Sequence, residues 1–151
     1  MKLTEIMTRE VVVVQPDDSV QLAAQKMRDH DIGFLPVCDG DHIVGVISDR
    51  DMAVRVIAEG RDPQTVLSRE LVSKPVVYCF SDEEVGDAAR LMRDRQIRRL
   101  IVLDRDSKRM VGVVSLGDVA TNSAEDISGE ALQGISLPQG SSKEEISRKD
   151  I

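Results

Sequence analysis

Aromatic side chains are almost missing from this chain: it has no tryptophan, one tyrosine (Tyr78) and two phenylalanines (Phe34 and Phe80). A protein that stacks single-stranded bases needs exposed aromatic platforms, so that class is excluded and the core must be built from Val, Ile, Leu, Met and Ala. Positive charge is short too. The net charge of −7 removes the broad basic face that generic attraction to DNA or to an acidic membrane requires, although a local arginine cluster can still hold a small anion. No apolar run approaches the roughly 18 to 20 residues that span a bilayer, and "MKLTEIMTRE" carries no hydrophobic signal core. The expected location is therefore the cytoplasm, with neither membrane nor nucleic acid as partner. Cys38 and Cys79 form no CxxC pair and stand in apolar, strand-like stretches. Buried thiols are the expectation there, with a disulfide or redox pair as the alternative. His30 and His42, the only histidines, have no Cys or His at ligand spacing, so no metal site is expected. A Ser-His-Asp or Cys-His set and a GxxxxGKS phosphate loop are also lacking, which argues against an enzyme.

What the chain does contain is itself, twice. Residues 17–39 laid on 82–104 agree at 11 of 23 positions, among them Val20/Val85, Ala23/Ala88, Ala24/Ala89, Met27/Met92 and Arg28/Arg93. "VGVISDRDMA" (44–53) then recurs as "VGVVSLGDVA" (111–120), with six of ten positions shared. The offset grows by two between these blocks, because "DRDSKRMVG" is two residues longer than "DGDHIVG". An insertion confined to a polar turn is what a loop between strands tolerates.

Each copy reads as β-α-β-β-α. "VVVV" (11–14) and "PVVYCF" (75–80) are β-rich runs, followed by Asp and Ser residues able to cap a helix. The helix stripes Val20, Ala23, Ala24, Met27 and Val85, Ala88, Ala89, Met92 fall at i, i+3, i+4, i+7. Next come two hairpins, "GFLPVC" to "HIVGVIS" and "RRLIVL" to "RMVGVVS", and a second helix from Asp49 or from Leu116. A copy of about sixty residues is marginal for an independent core, so the two are expected to pack sheet to sheet with pseudo-twofold symmetry. The expected division is a first repeat over 1–60, a connector with a short helix over 61–74 and a second repeat over 75–123. A polar tail follows over 124–151, expected to be loosely ordered.

The tandem β-α-β-β-α order, with "MRDHDIGFLPV" and "MRDRQIRRLIV" each followed by Gly-apolar-apolar-Ser-x-x-Asp, resembles the cystathionine-β-synthase (CBS) domain pair. The likeness covers roughly residues 1–123, and "DRDMAVRVIAEGRDP" is similar to the small stand-alone bacterial proteins made only of such a pair. The resemblance implies an α/β (α+β) fold, a homodimer, and a non-catalytic sensor. Its ligand would be an adenine nucleotide such as AMP, ATP or NAD, held in clefts between the copies and read by a partner protein. It also implies that Ile32, Gly33 and Phe34, and Ile97, Arg98 and Arg99, line the base.

The chemistry of such a site can be read from the residues. A carboxylate is a natural double acceptor for the vicinal hydroxyls of a ribose, and Asp51 and Asp118 stand in the first turn of their helices. Ser48 and Ser115, where strand becomes helix, can hydrogen-bond sugar or phosphate, beside unpaired helix N–H groups that favour an anion. Arg50, Arg98 and Arg99 supply the positive charge that the chain as a whole lacks. The second copy has Leu116-Gly117 where the first has Asp49-Arg50, and the first has Gly33-Phe34 where the second has Arg98-Arg99, so the clefts are unequal. A structural reading competes with this one. Ser-x-x-Asp ahead of an apolar stripe is also a capping box, worth about 1 kcal/mol and silent about ligands. In that case the chain is a ligand-free dimerisation scaffold.

Overall fold

The computed structural model describes residues 1–73, 75–122 and 125–136. The chain divides into two units, Val11–Val76 and, as the other, Met1–Glu10 joined with the chain from Val77 onward. The first ten residues thus group in space with the chain from Val77 onward, while the sequence division counts them in the repeat over 1–60. Among the described residues no helix is long and apolar enough to cross a membrane.

In the unit Val11–Val76, α1 (Val20–His30) leads into the antiparallel strands β1 (Phe34–Asp39) and β2 (His42–Ser48). A short α2 (Asp49–Met52) follows and continues as a wider π-type turn over Ala53–Ile57. Ser19 caps α1, its hydroxyl accepting the Leu22 N–H at 3.1 Å, and Asp31 closes the helix in the left-handed region at φ 54°. The apolar stripe packs Val20, Ala23 and Met27 against Leu35, Val37, Ile47, Met52 and Leu71. Of the expected strand over 11–14, only Val14 pairs, as a single parallel bridge to Val37. Val14 N–H donates to the Pro36 carbonyl and Val14 O accepts from Cys38 N–H. The next rung would need an amide at position 36, and proline has none.

The other unit repeats this plan with the strand restored. Here β3 (Tyr78–Phe80) pairs in parallel with β4 (Arg99–Leu103), which pairs antiparallel with β5 (Met110–Ser115). Ile101 stands where the first copy has Pro36, and it pairs with Tyr78. Between them runs α3 (Val85–Arg95), followed after β5 by α4 (Leu116–Asn122). The expected Ser or Asp cap is not what starts α3: Glu84 precedes it without a side-chain cap and instead holds the N-terminal amino group and Lys2, each at 2.9 Å. Asp82 is committed to Arg105.

The first residues of the chain and the connector turn out to be equivalent pieces. Leu3–Glu5 and Ser68–Glu70 are both single 3-10 turns, and in each the glutamate reaches back to accept a backbone N–H at 2.6 Å, Glu5 from Lys2 and Glu70 from Leu67. Thr8 bridges Val113 as Ser73 bridges Val46. The glycine of each repeated motif makes room for that piece. A Cβ on Gly45 would lie 2.5 Å from Val72 Cβ, and one on Gly112 would lie 2.8 Å from the Thr8 carbonyl oxygen.

The expectation of a loose tail needs correction at its start, because Glu125–Ser136 form a helix, α5, packed on α3 and α4. Ala131 and Ile135 are each 1% exposed. Apolar residues four apart give even a polar segment a face to bury. That contact also explains an inequality between the stripes: Ala89 is 2% exposed beneath α5, whereas its counterpart Ala24 on α1 is exposed. The remainder of the expected tail, residues 137–151, lies outside the described residues.

Candidate functional site

In both units the site begins where a strand becomes a helix. Ser48 N–H donates to Asp51 Oδ2 at 2.8 Å while Asp51 N–H donates to Ser48 Oγ at 3.2 Å. The second copy repeats the pair, Ser115 N–H to Asp118 Oδ2 at 2.8 Å and Asp118 N–H to Ser115 Oγ at 3.1 Å. Both are reciprocal capping boxes, so the structural reading of Ser-x-x-Asp holds. In each, a single carboxylate oxygen does the capping and Oδ1 takes no part in the box.

A backbone hydrogen bond seats the segment ahead of the preceding strand beside each helix start. Asp49 N–H donates to the Gly33 carbonyl at 3.0 Å, and Leu116 N–H donates to that of Arg98 at 2.8 Å. The surroundings then diverge. In the unit Val11–Val76, a Cβ at position 33 would lie 2.6 Å from Asp49 Oδ2, so glycine fits there beside the acid. Ile32, Asp49 and Arg50 are exposed, and Phe34 opens β1. Arg55, which sequence reasoning passed over, sits with Nη1 3.9 Å from Asp51 Oδ1 and donates to the carbonyls of Leu71 and Glu70 at 2.7 and 3.0 Å. It ties the connector to the helix that carries Asp51. Its spacing of four from Asp51 on a helix was the available signal.

In the other unit the position of Gly33-Phe34 is taken by Arg98-Arg99. These two arginines and Ser115 converge on one cavity of about 490 Å³, completed by Leu116, Gly117 and Ala120 from α4 and by Gly129 and Leu132 from α5. Ile97 and Asp118 do not line it. Gly129 and Leu132 were also missed, because they lie in the segment expected to be loose. Among the described residues, Arg98 Nε is buried and has no hydrogen-bond partner. A buried guanidinium N–H left unpaired costs on the order of 1–3 kcal/mol. The lining thus combines two arginines and a serine hydroxyl with apolar side chains, the kind of composition small-molecule sites have.

Neither cysteine belongs to this site. Burial pushes the Cys38 thiol up to about 11 and the Cys79 thiol to about 12, so both stay protonated and unreactive in the native state.

The CBS domain profile matches residues 3–57 and 68–125. CBS domain-containing protein YhcV of Bacillus subtilis is 39% identical over 87% of this chain and 93% of its own length. Hypoxic response protein 1 of Mycobacterium tuberculosis is 33% identical over 89% of this chain and 93% of its own. A crystal structure of Hypoxic Response Protein I superposes with a TM-score of 0.74 at 33% identity, covering 82% of this chain and all of that one. That structure carries two coordinated zinc ions. Among the described residues here, no three His, Cys, Asp or Glu side chains converge, so zinc has no ready cluster of donors in them. CBS pairs are in general regulatory modules. With both repeats matched and relatives aligned over most of their length, this chain belongs to the CBS domain family.

Proposed function

We propose that this protein is a non-catalytic sensor that binds an adenosine nucleotide, AMP, ATP or NAD, and passes the binding event to a partner protein as a change of conformation. The convergence of Arg98, Arg99 and Ser115 on one cavity is the observation that carries the reading. Phosphate oxygens meet the guanidinium groups, which prefer planar, bidentate acceptors. The less polar part of the ligand lies on Leu116 and Ala120. Asp51 and Asp118, each with Oδ1 outside its capping box, are the proposed acceptors of ribose hydroxyls, Asp118 from beside the cavity rather than from its lining. In the first repeat Ile32, Gly33, Phe34, Ser48 and Arg50 form the weaker counterpart, and Ile97 supports the base in the second. A homodimer, expected from the resemblance, is part of the same proposal. Ligand-linked signalling then requires only that one conformation bind the nucleotide better than another.

The capping boxes favour a second reading, a ligand-free scaffold, since they account for Ser-x-x-Asp without any ligand. One panel separates the two. Thermal unfolding is followed with AMP, ATP, NAD and GTP on the wild type, on Arg98→Ala with Arg99→Ala, and on Asp118→Ala. A nucleotide at one hundred times its Kd stabilises the native state by about 2.7 kcal/mol, and the arginine pair variant loses that gain. Asp118→Ala costs about 1 kcal/mol as a lost cap under either reading, and the scaffold reading has no nucleotide shifting any variant. A wild type indifferent to all four nucleotides refutes the sensor.

A further inference from the structure

The two repeats differ in two independent ways, and both differences meet at one cavity. Arg98 and Arg99 replace Gly33 and Phe34, and α5 covers α3 while, among the described residues, no helix covers α1 in the same way. The face that α5 uses is itself duplicated: Ala89, Met92 and Arg93 repeat Ala24, Met27 and Arg28. The difference between the units therefore lies in the added helix rather than in the surface beneath it.

Helix α5 is seated by its small and apolar residues. A Cβ at Gly134 would fall 2.0 Å from Arg93 Cγ, so the α5 backbone rests on the aliphatic stem of that arginine. Gln96 Nε2 donates to the Gly134 carbonyl at 3.2 Å, and Ala131 and Ile135 are buried. Leu132 is 46% exposed and, with Gly129, forms the cavity wall that α5 contributes. A Cβ at Gly129 would meet nothing within 4 Å, so the helix is not closely packed at that position.

We infer that α5 is the reporting element of the sensor: a nucleotide in this cavity contacts Leu132, holds α5 against α3, and is in turn held by it. The inference rests on the nucleotide reading above and names the element through which that site is regulated. Leu132 supplies an apolar contact to the part of the ligand remote from the arginines. Because ligand and docked helix favour one another, the coupling is reciprocal, and a change that undocks α5 weakens the ligand by the same factor by which the ligand tightens α5. A helix of twelve residues is marginal by itself, so its docking equilibrium is readily biased.

The test is hydrogen exchange of the α5 amides in the full chain with and without saturating ATP, together with ATP titration calorimetry on the wild type, Leu132→Ala and Gly134→Val. The valine places a side chain where Arg93 lies. The expected results are exchange in α5 slowed at least tenfold by ATP, ATP binding about tenfold weaker in Gly134→Val, and a smaller loss in Leu132→Ala. The exchange measurement needs no variant, so it decides the matter even if Gly134→Val misfolds. If ATP binds the wild type while α5 exchange stays the same and both variants bind normally, the inference about α5 falls and the nucleotide site stands. If ATP does not bind the wild type, the same measurements are made with AMP and with NAD, and if none of the three binds, both fall together.

Discussion

Adding one methyl group to the motif glycine of each repeat tests how the units are assembled. At Gly45 the new Cβ would sit 2.5 Å from Val72 Cβ and 3.0 Å from Val72 Cγ1, well inside the 3.5–4.0 Å of an ordinary carbon contact. Rotating the valine cannot move its own Cβ, so the backbone at 72–73 must retreat from β2, stretching the Ser73 N–H to Val46 carbonyl bond of 3.0 Å. Overpacking of this kind costs about 1–3 kcal/mol. Gly112→Ala meets the Thr8 carbonyl at 2.8 Å and Met7 Sδ at 2.9 Å. The methionine can swing aside. The carbonyl cannot, because Thr8 exchanges two hydrogen bonds with Val113, of 2.9 and 3.0 Å, and each is worth about 0.5–1.5 kcal/mol. Gly112→Ala is therefore expected to be the costlier change, about 2–4 kcal/mol from packing and rungs combined. Gly86→Ala provides a control of opposite sign. It lies in α3 with its nearest neighbour, Arg90 Nη1, 4.0 Å away, and should stabilise by about 0.5–1 kcal/mol. Urea unfolding monitored by circular dichroism gives all three as shifts in midpoint. If Gly45→Ala and Gly112→Ala both fall within about 0.5 kcal/mol of the wild type, the range of unremarkable surface changes, the close approach of these segments is refuted.

Two further predictions concern titration. At pH 8 the native Cys38 and Cys79 thiols, raised to about 11 and about 12 by burial, should react with a disulfide reagent at no more than about a hundredth of the rate in urea; rapid reaction of both in buffer would contradict their burial. Hydrogen bonds from Lys2 and the N-terminal amino group hold the Glu84 carboxyl below the usual range, and the same contact raises Lys2. A carboxyl depressed in the folded state stabilises above its unfolded pKa, near 4.3, and that contribution is lost as pH falls through the folded value. Raised Lys2 stabilises below its own unfolded pKa and loses that contribution only at strongly alkaline pH. The melting temperature should accordingly fall from about pH 5 to pH 3, with a shallower slope in Glu84→Gln; equal slopes would show that the pairing contributes nothing.

The sequence by itself determined what depends on short spacings. Two copies, the apolar stripes of α1 and α3, the hairpins β1–β2 and β4–β5, and the Ser48–Asp51 and Ser115–Asp118 boxes are set by residues three, four or a few positions apart. The contrast between Pro36 and Ile101 was visible as well, and a missing amide is enough to shorten the strand it faces. Tertiary structure alone decided where distant pieces go. Residues 2–8 and 67–73 have nearly the same local form, and which repeat each completes depends on packing against Gly112 or Gly45. Likewise α5 has only a sparse apolar face, and its docking is governed by the stem of Arg93, some forty residues earlier in the chain. The cavity lined by Arg98, Arg99, Ser115 and Leu132 is the product of that docking. Local hydrogen bonds and periodicity can be read along a chain, whereas steric fit between surfaces far apart in sequence exists only once the chain has folded.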